Sequence, residues 1–390
     1  MVNAFNVSGF PRIVFGTGAL EKLPDILGRY GKRYLLITGA SSFKSGLKGR
    51  KFLDKLERTC DDLYLGRIIK EPSPEDVDEI VEEYKNKKID VVVAIGGGSV
   101  IDAGKAVSAM LLLKEPVKEY LEGIGKKQHP GIKIPFAAVP TTSGTGSEAT
   151  KNAVLSEVGP EGFKKSLRHD NFIPDIALLD PELTLDCPSD ITAASGMDAF
   201  SQLVESYVST ASNEFTDSLA VRAIEMILHN IEKAFFNGHD IEARSALAYA
   251  ALISGITLAN AGLGAIHGYA SSVGSIIDIP HGVLCGTLAG IANRINVEKL
   301  IESAPENKAL KKYARLGRMV SVSSAATDAD YALAFVSRIE EMVVNLKIKR
   351  LGEYGLDKAQ LQDIVLKTGQ KNNPVKLSDD NLMTILTTRL

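Results

Sequence analysis

At 390 residues the chain is long enough for two or three domains, and with 45% hydrophobic and 24% charged residues it has the balance of a soluble globular protein. A net charge of -3 gives no electrostatic basis for binding nucleic acid or an anionic membrane, and short basic clusters such as KRYLL and ALKKYARLGR read as solvated helix faces. Three cysteines, Cys60, Cys187 and Cys285, do not make a disulfide framework; they point to a reducing compartment, and MVNAFNVSGF lacks the basic-then-apolar pattern of a leader, so a cytoplasmic location is expected.

In chain order, RYLLIT (33–38) reads as a strand, SGLKGRKFLDKLER (45–58) as a helix and DLYLGRI (62–68) as a second strand. SPEDVDEIVEEYKNKK (73–88) opens with Ser73 as N-cap, Pro74 at the first helical position and Asp76 completing a capping box. DVVVAI (90–95) is a continuous apolar run, as in a strand covered on both faces, and IPFAAVP (134–140) is another. Segments near 153–158 and 175–180 add β character, and this alternation predicts a parallel, doubly wound sheet. DPELTLDCPSDIT (180–192) marks a boundary, beyond which helical periodicity dominates: 190–210, 213–233, 240–262, 280–295, 327–345 and 358–368. Ala246 to Ile266 carries no charge over 21 residues, enough to cross a bilayer, but its Gly, Ser, Thr and Asn content predicts a central buried helix. No membrane association is expected.

Two loops carry candidate binding chemistry. In AIGGGSVIDAGKA (94–106) Gly96, Gly97 and Gly98 let the backbone approach a ligand closely, Ser99 is placed to cap the following helix, and Asp102 is its capping-box partner. The helix N-terminus suits a phosphate. VPTTSGTGSEAT (139–150) repeats strand, hydroxyl-rich turn and helix, with Thr141, Thr142, Ser143, Thr145 and Ser147 as hydroxyls. Either loop alone also reads as an ordinary tight turn; two in one parallel sheet favour a nucleotide at the carboxyl ends of the strands. The pattern is not G-x-G-x-x-G.

Further on, SGMDAFSQLVESYVS puts Asp198 and Gln202 four residues apart, on one helical face, and His267 and His281 stand fourteen apart, each followed by glycine. One carboxylate, two imidazoles and an amide oxygen suffice for an open divalent metal site. Each histidine is equally readable as a hydrogen-bonded structural residue; His129, His169, His229 and His239 have no metal spacing. Cys285 reads as helix packing.

GGGSVIDAGKA, PTTSGTGSEAT, DPELT, GMDAFSQLVESYVS and GLGAIHGYA…PHG occur in this order, and by them the chain resembles the iron-containing (group III) alcohol dehydrogenases, which include lactaldehyde reductase and propanediol and butanol dehydrogenases. The resemblance extends from about Phe15 through NNPVKLSDDNLMTIL. It implies a dehydroquinate synthase-like α/β domain over 1–185, an all-helical domain over 186–390, and a homodimer or higher homo-oligomer. It also implies NAD(P) on the glycine loop, with Lys164, Thr142, Ser147 and Lys151 near its ribose or nicotinamide. A divalent metal, Fe2+ first and Zn2+ second, would be held by Asp198, His267 and His281, which are also the catalytic residues. The implied reaction is hydride transfer between the nicotinamide and a small alcohol or diol, with the metal steadying charge on the substrate oxygen.

Three positions depart from the family pattern. Gln202 falls where a fourth ligand, histidine, is usual, and it is a weaker donor. Ser271 replaces a histidine associated with proton relay. Gly39 ends the first cofactor strand where aspartate is common; without that charge a 2′-phosphate is acceptable, and Ser41, Ser42 or Lys44 would be its donors, so NADP(H) is expected over NAD. Other readings are a metal-independent maleylacetate-type reductase in which Gln202 bonds substrate, a dehydroquinate synthase-like lyase, and a non-enzymatic nucleotide sensor.

Overall fold

The computed structural model describes residues 4–40, 43, 46–159, 162–321 and 327–390, so Ser41, Ser42 and Lys44 lie outside the described residues. Two compact units are distinguished, and the chain passes from one to the other between Cys187 and Pro188.

The first unit is an α/β sandwich. Its strands are β1 (Arg12–Phe15), β2 (Arg33–Thr38), β3 (Asp62–Arg67), β4 (Val91–Gly96), β5 (Phe136–Pro140) and β8 (Ile176–Leu179), paired in parallel in the order β1-β8-β5-β4-β2-β3. A hairpin of β6 (Asn152–Glu157) and β7 (Phe163–Arg168) stands apart from that sheet. The helices are α1 (Leu23–Leu27), α2 (Leu47–Thr59), α3 (Pro74–Tyr84) and α4 (Gly98–Met110). Neither β1 nor β7 was legible in the sequence: β1 is four residues long and mostly exposed, and β7 is lysine-rich.

Alternation along β4 explains the layering. Val92 and Ala94 face α3 and α4, in one core with Val77, Ile80, Ile101 and Phe136, while Val91, Val93 and Ile95 face α1 and α2, with Leu23, Phe52 and Leu56. The helices that follow β2 and β4 therefore cover opposite faces of two adjacent strands. Such a reversal opens a crevice at the strands' carboxyl ends, where Thr38 pairs with Ile95 and Gly96 with Pro140. Gly39 and the glycine loop lie at that crevice.

At α3 the expected capping box forms: Ser73 Oγ accepts from Asp76 N at 3.1 Å and Asp76 Oδ2 from Ser73 N at 2.8 Å, worth about 1 kcal/mol. At α4 it does not. Gly97 is the N-cap and no side chain caps the helix; Asp102 instead accepts from the Ser147 hydroxyl and from Val154 N at 3.0 Å. The helix begins directly off the strand, which places Ser99 inside its first turn. The expected helix after the hydroxyl-rich turn is also absent: Gly146, at φ +62°, turns the chain into one 3-10 turn, Ser147–Ala149, before β6.

The second unit comprises residues 4–7, 158–159 and the chain from Pro188 onward, within the described residues. Its helices are α5 (Ser189–Val208), α6 (Glu214–Phe236), α7 (Ile241–Ala261), α8 (Ala265–Gly274), α9 (His281–Ser303), α10 (Lys308–Val320), α11 (Asp328–Asn345), α12 (Leu361–Lys367) and α13 (Asp379–Thr388). Phe5 stacks on Phe215 of α6, centroids 6.4 Å apart. The uncharged run 246–266 is not one helix. It breaks at Gly262, at φ +67°, and α8 restarts it. By length and composition α7 would cross a membrane, but most of it is buried within this unit.

Candidate functional site

The second unit gathers four donor side chains. Asp198 comes from the middle of α5, His267 from the first turn of α8, and His281 and Cys285 from one face of α9, four residues apart. One donor atom from each lies within 4.8 Å of all the others. Asp198 Oδ1 is 3.4 Å from His267 Nε2 and 3.5 Å from His281 Nε2. Cys285 Sγ is 3.7 Å from each of those two nitrogens. Cys285, expected to be a packing residue, is buried as such but also lies against both imidazoles.

The glycine after each histidine has a structural reason. A Cβ at Gly268 would fall 1.9 Å from Gly369 O, and one at Gly282 would fall 2.3 Å from Ala194 O on α5. The latter close approach seats the start of α9 against the helix that carries Asp198. Glu205, one turn beyond Gln202 on α5, does two things at once. Its Oε2 pairs with His267 Nδ1 at 2.7 Å, and its Oε1 accepts from Ile266 N at 2.7 Å in the first turn of α8. A carboxylate on Nδ1 turns Nε2, with its lone pair, toward the other donors. Sequence reasoning missed Glu205; its spacing of seven from Asp198, the same helical face, was the available signal.

Gln202, expected as a fourth ligand, lies beside Asp198 within hydrogen-bond reach on α5. Its Oε1 accepts from Ser254 Oγ at 2.9 Å on α7, and its amide donates to Asp198. Ser271 is exposed on α8.

Electrostatics within the cluster favour anions beside a cation. Burial alone would raise Asp198, but His281, His267 and the Gln202 amide hold it below the ordinary carboxylate value. Burial likewise opposes a thiolate at Cys285, yet the two imidazoles pull it down. His267 is raised well above its ordinary value: burial lowers it, and Cys285, Asp198 and Glu205 outweigh that. The donor set suits a divalent metal, with two ionisable anions to balance its charge in a buried place. The Asp198 side chain is 2% exposed and that of His281 25%, so the cluster is reached from the His281 side.

In the first unit, the glycine loop and the hydroxyl-rich loop lie side by side because β4 and β5 are neighbours. Thr141 N donates to Gly96 O at 2.9 Å. A Cβ on Gly96 would come within 2.6 Å of Val100, and one on Gly98 within 2.6 Å of Thr145, while Gly97 faces Thr142. Ser143 Oγ is buried without a hydrogen-bond partner among the described residues. An uncapped helix start, glycines where side chains would clash and an orphan hydroxyl fit a bound phosphate-bearing group. Gly39 has ordinary room: a Cβ there would lie 3.8 Å from Val100.

Other residues expected at the cofactor have their polar groups on protein partners. Asp102 and Ser147 hold each other, and Lys105, which sequence reasoning passed over, donates to Ser147 O, Thr150 Oγ1 and Asn152 O at 2.7–3.1 Å. Lys151 pairs with Asp170 at 2.6 Å, and Lys164 with Glu71 at 2.7 Å. These contacts anchor the loop and the hairpin.

Comparison with known proteins gives one family. Residues 11–181 match the model of iron-containing alcohol dehydrogenases, and residues 192–390 that of the C-terminal part of the Fe-containing alcohol dehydrogenase family. Alcohol dehydrogenase 4 of Schizosaccharomyces pombe is 31% identical, over 98% of this chain and 88% of that protein. The NADPH-dependent butanol dehydrogenase of Clostridium saccharobutylicum is 30% identical, over 96% and 95%. Among solved structures, the sulfoacetaldehyde reductase of Bifidobacterium kashiwanohense, in complex with NAD+, superposes with TM-score 0.84 at 27% identity, covering 99% of both chains.

Proposed function

The chain belongs to the iron-containing alcohol dehydrogenase family, and from that premise we propose that it interconverts a small primary alcohol or diol and its aldehyde, with NADP(H) as hydride carrier and a divalent metal in the second unit. The convergence of Asp198, His267 and His281 donors within 4.8 Å carries this reading. When bound, the metal supplies Lewis acidity toward the substrate oxygen, and the nicotinamide supplies or takes the hydride.

The chain's own part is positioning. Asp198, His267 and His281 hold the ion, Glu205 orients His267, and Gln202 orients Asp198. Gly96, Gly97 and Gly98, with the first turn of α4, receive the cofactor phosphates, and Thr141, Thr142 and Thr145 line the neighbouring loop. Ser99 stands in that first turn. Lys151, Lys164, Asp102 and Ser147 then act by holding the loops rather than by direct contact, in keeping with their protein partners. The absence of a carboxylate at Gly39 supports acceptance of NADPH. The named relatives are alcohol dehydrogenases and an aldehyde reductase, which leaves the lyase and metal-independent readings without support.

The test is NADPH- and NADH-linked reduction of a panel of short aldehydes, with and without a chelator, beside elemental analysis of the protein as isolated. Turnover that the chelator abolishes and metal restores is expected. Turnover indifferent to a chelator would remove the metal from the mechanism, and tight dinucleotide binding without turnover on any aldehyde would remove the reaction.

A further inference from the structure

Building on the metal reading above, we propose that the fourth protein ligand is the thiolate of Cys285, and that the site is therefore a two-histidine, aspartate and cysteine centre suited to Zn2+.

The separations carry the argument. A tetrahedral ion with bonds of about 2.0–2.1 Å to nitrogen and oxygen and about 2.3 Å to sulfur sets N and O about 3.3–3.4 Å apart, and N and S about 3.6 Å apart. The two imidazole nitrogens stand 3.4 and 3.5 Å from Asp198 Oδ1. The same nitrogens stand 3.7 Å from Cys285 Sγ. The longer spacing falls on the sulfur, as a larger donor atom requires. A thiol packed for its apolar bulk alone has no reason to be equidistant from two imidazole nitrogens.

Gln202 leaves the place open for it. Its oxygen is taken by Ser254 and its amide faces Asp198, so the residue acts as a positioning group for the carboxylate. Spacing supports the assignment too, since His281 and Cys285 are i and i+4 on α9 and present both donors from one rigid helix.

On binding, the S–H bond breaks, a sulfur–metal bond forms, and the proton leaves to solvent. Thiolate and carboxylate together neutralise a divalent ion, which matters where Asp198 and Cys285 are both almost wholly buried. A thiolate in place of a neutral donor makes the site softer and selects zinc over magnesium or manganese.

The experiment uses the full chain with Cys60→Ser and Cys187→Ser, which leaves Cys285 as its one thiol. Loading the metal-free protein with Co2+ should give one equivalent bound and a near-ultraviolet sulfur-to-cobalt charge-transfer band. Zn2+ should protect the thiol from a maleimide until a chelator is added. Cys285→Ser and Cys285→Ala should lose the band and weaken Zn2+ binding by at least the roughly 10–100-fold that outer partners of a ligand cost. The spectrum and the protection are read on the chain that retains Cys285, so they decide the matter even if the variants fail to fold. One equivalent of Co2+ without the band, and a thiol that reacts equally with and without Zn2+, would overturn the assignment while leaving the metal site standing. No stoichiometric binding of either ion would overturn both.

Discussion

Replacing Glu205 by Gln isolates the support of the metal site from its ligands. In the native chain two N–H donors, His267 Nδ1 and Ile266 N, face the two carboxylate oxygens, each at 2.7 Å. Glutamine has the same shape but one oxygen, so its NH2 must meet one donor head-on. If the backbone N–H keeps the oxygen, His267 loses its acceptor and with it the lock on tautomer and ring angle. A charge-assisted hydrogen bond at a buried site contributes about 1.5–3 kcal/mol. Loss of an outer partner of a metal-binding histidine weakens metal affinity roughly 10–100-fold, about 1.4–2.7 kcal/mol at about 1.4 kcal/mol per decade, so the two routes agree. Zn2+ affinity, measured by competition against a chromophoric chelator, should fall by that factor while circular dichroism shows the helical content retained. Unchanged affinity, with only a lower melting temperature, would refute the reasoning and make Glu205 a cap for α8 alone.

Three further outcomes are expected. Glu148 is pushed up to about 7 from 4.5, by burial first, with Asp102 adding to it against the pull of its backbone bond and Lys105, and its Oε1 has no partner among the described residues. The folded state thus holds a proton that the unfolded state has released, so stability is full below the ordinary value and falls as pH rises to about 7; Glu148→Gln should flatten that fall and be the more stable protein at pH 8, on the order of 1–3 kcal/mol in urea unfolding, and an unaltered slope would refute it. Gly98→Ala puts a methyl 2.6 Å from Thr145, so the two loops must part; NADPH affinity by fluorescence titration should drop with Zn2+ affinity unaffected, and undiminished NADPH binding would place the cofactor elsewhere. Gly39→Asp meets no clash, Val100 being 3.8 Å from the new Cβ, and should shift the NADPH/NADH ratio of kcat/KM toward NADH by about 10–100-fold through repulsion of a 2′-phosphate; an unmoved ratio would mean that this strand end does not face the ribose.

The central strands of the parallel sheet declare themselves because a strand covered on both faces must be apolar at every position, as VVVAI is, and such a run is visible without neighbours, whereas the exposed edge strand β1 gives no such signal. Ser73, Pro74 and Asp76 were legible because a capping box is closed within four residues. Ordered motifs carried the family and, with it, Asp198, His267 and His281. Where two segments compete for the same group, local reading fails. Asp102 is within reach of Ser99, but Ser147 and Val154, brought in from a neighbouring loop and strand, take its oxygens. The 246–266 run looks like one helix, yet Gly262 divides it so that α8 can begin where Glu205 and Asn373 receive its first amides.

The sequence by itself determined the alternation of strands and helices, the glycine loop at the end of a buried strand, the helical second half and the identity of three of the clustered donors, because each is a property of residues near one another in the chain or of a motif. Only the tertiary structure decided that Cys285 stands with them. Which side chain faces a shared centre depends on how α5, α7, α8 and α9 rotate against one another, and that is set by contacts such as Gly282 on Ala194 and Gln202 on Ser254, between residues far apart in the chain.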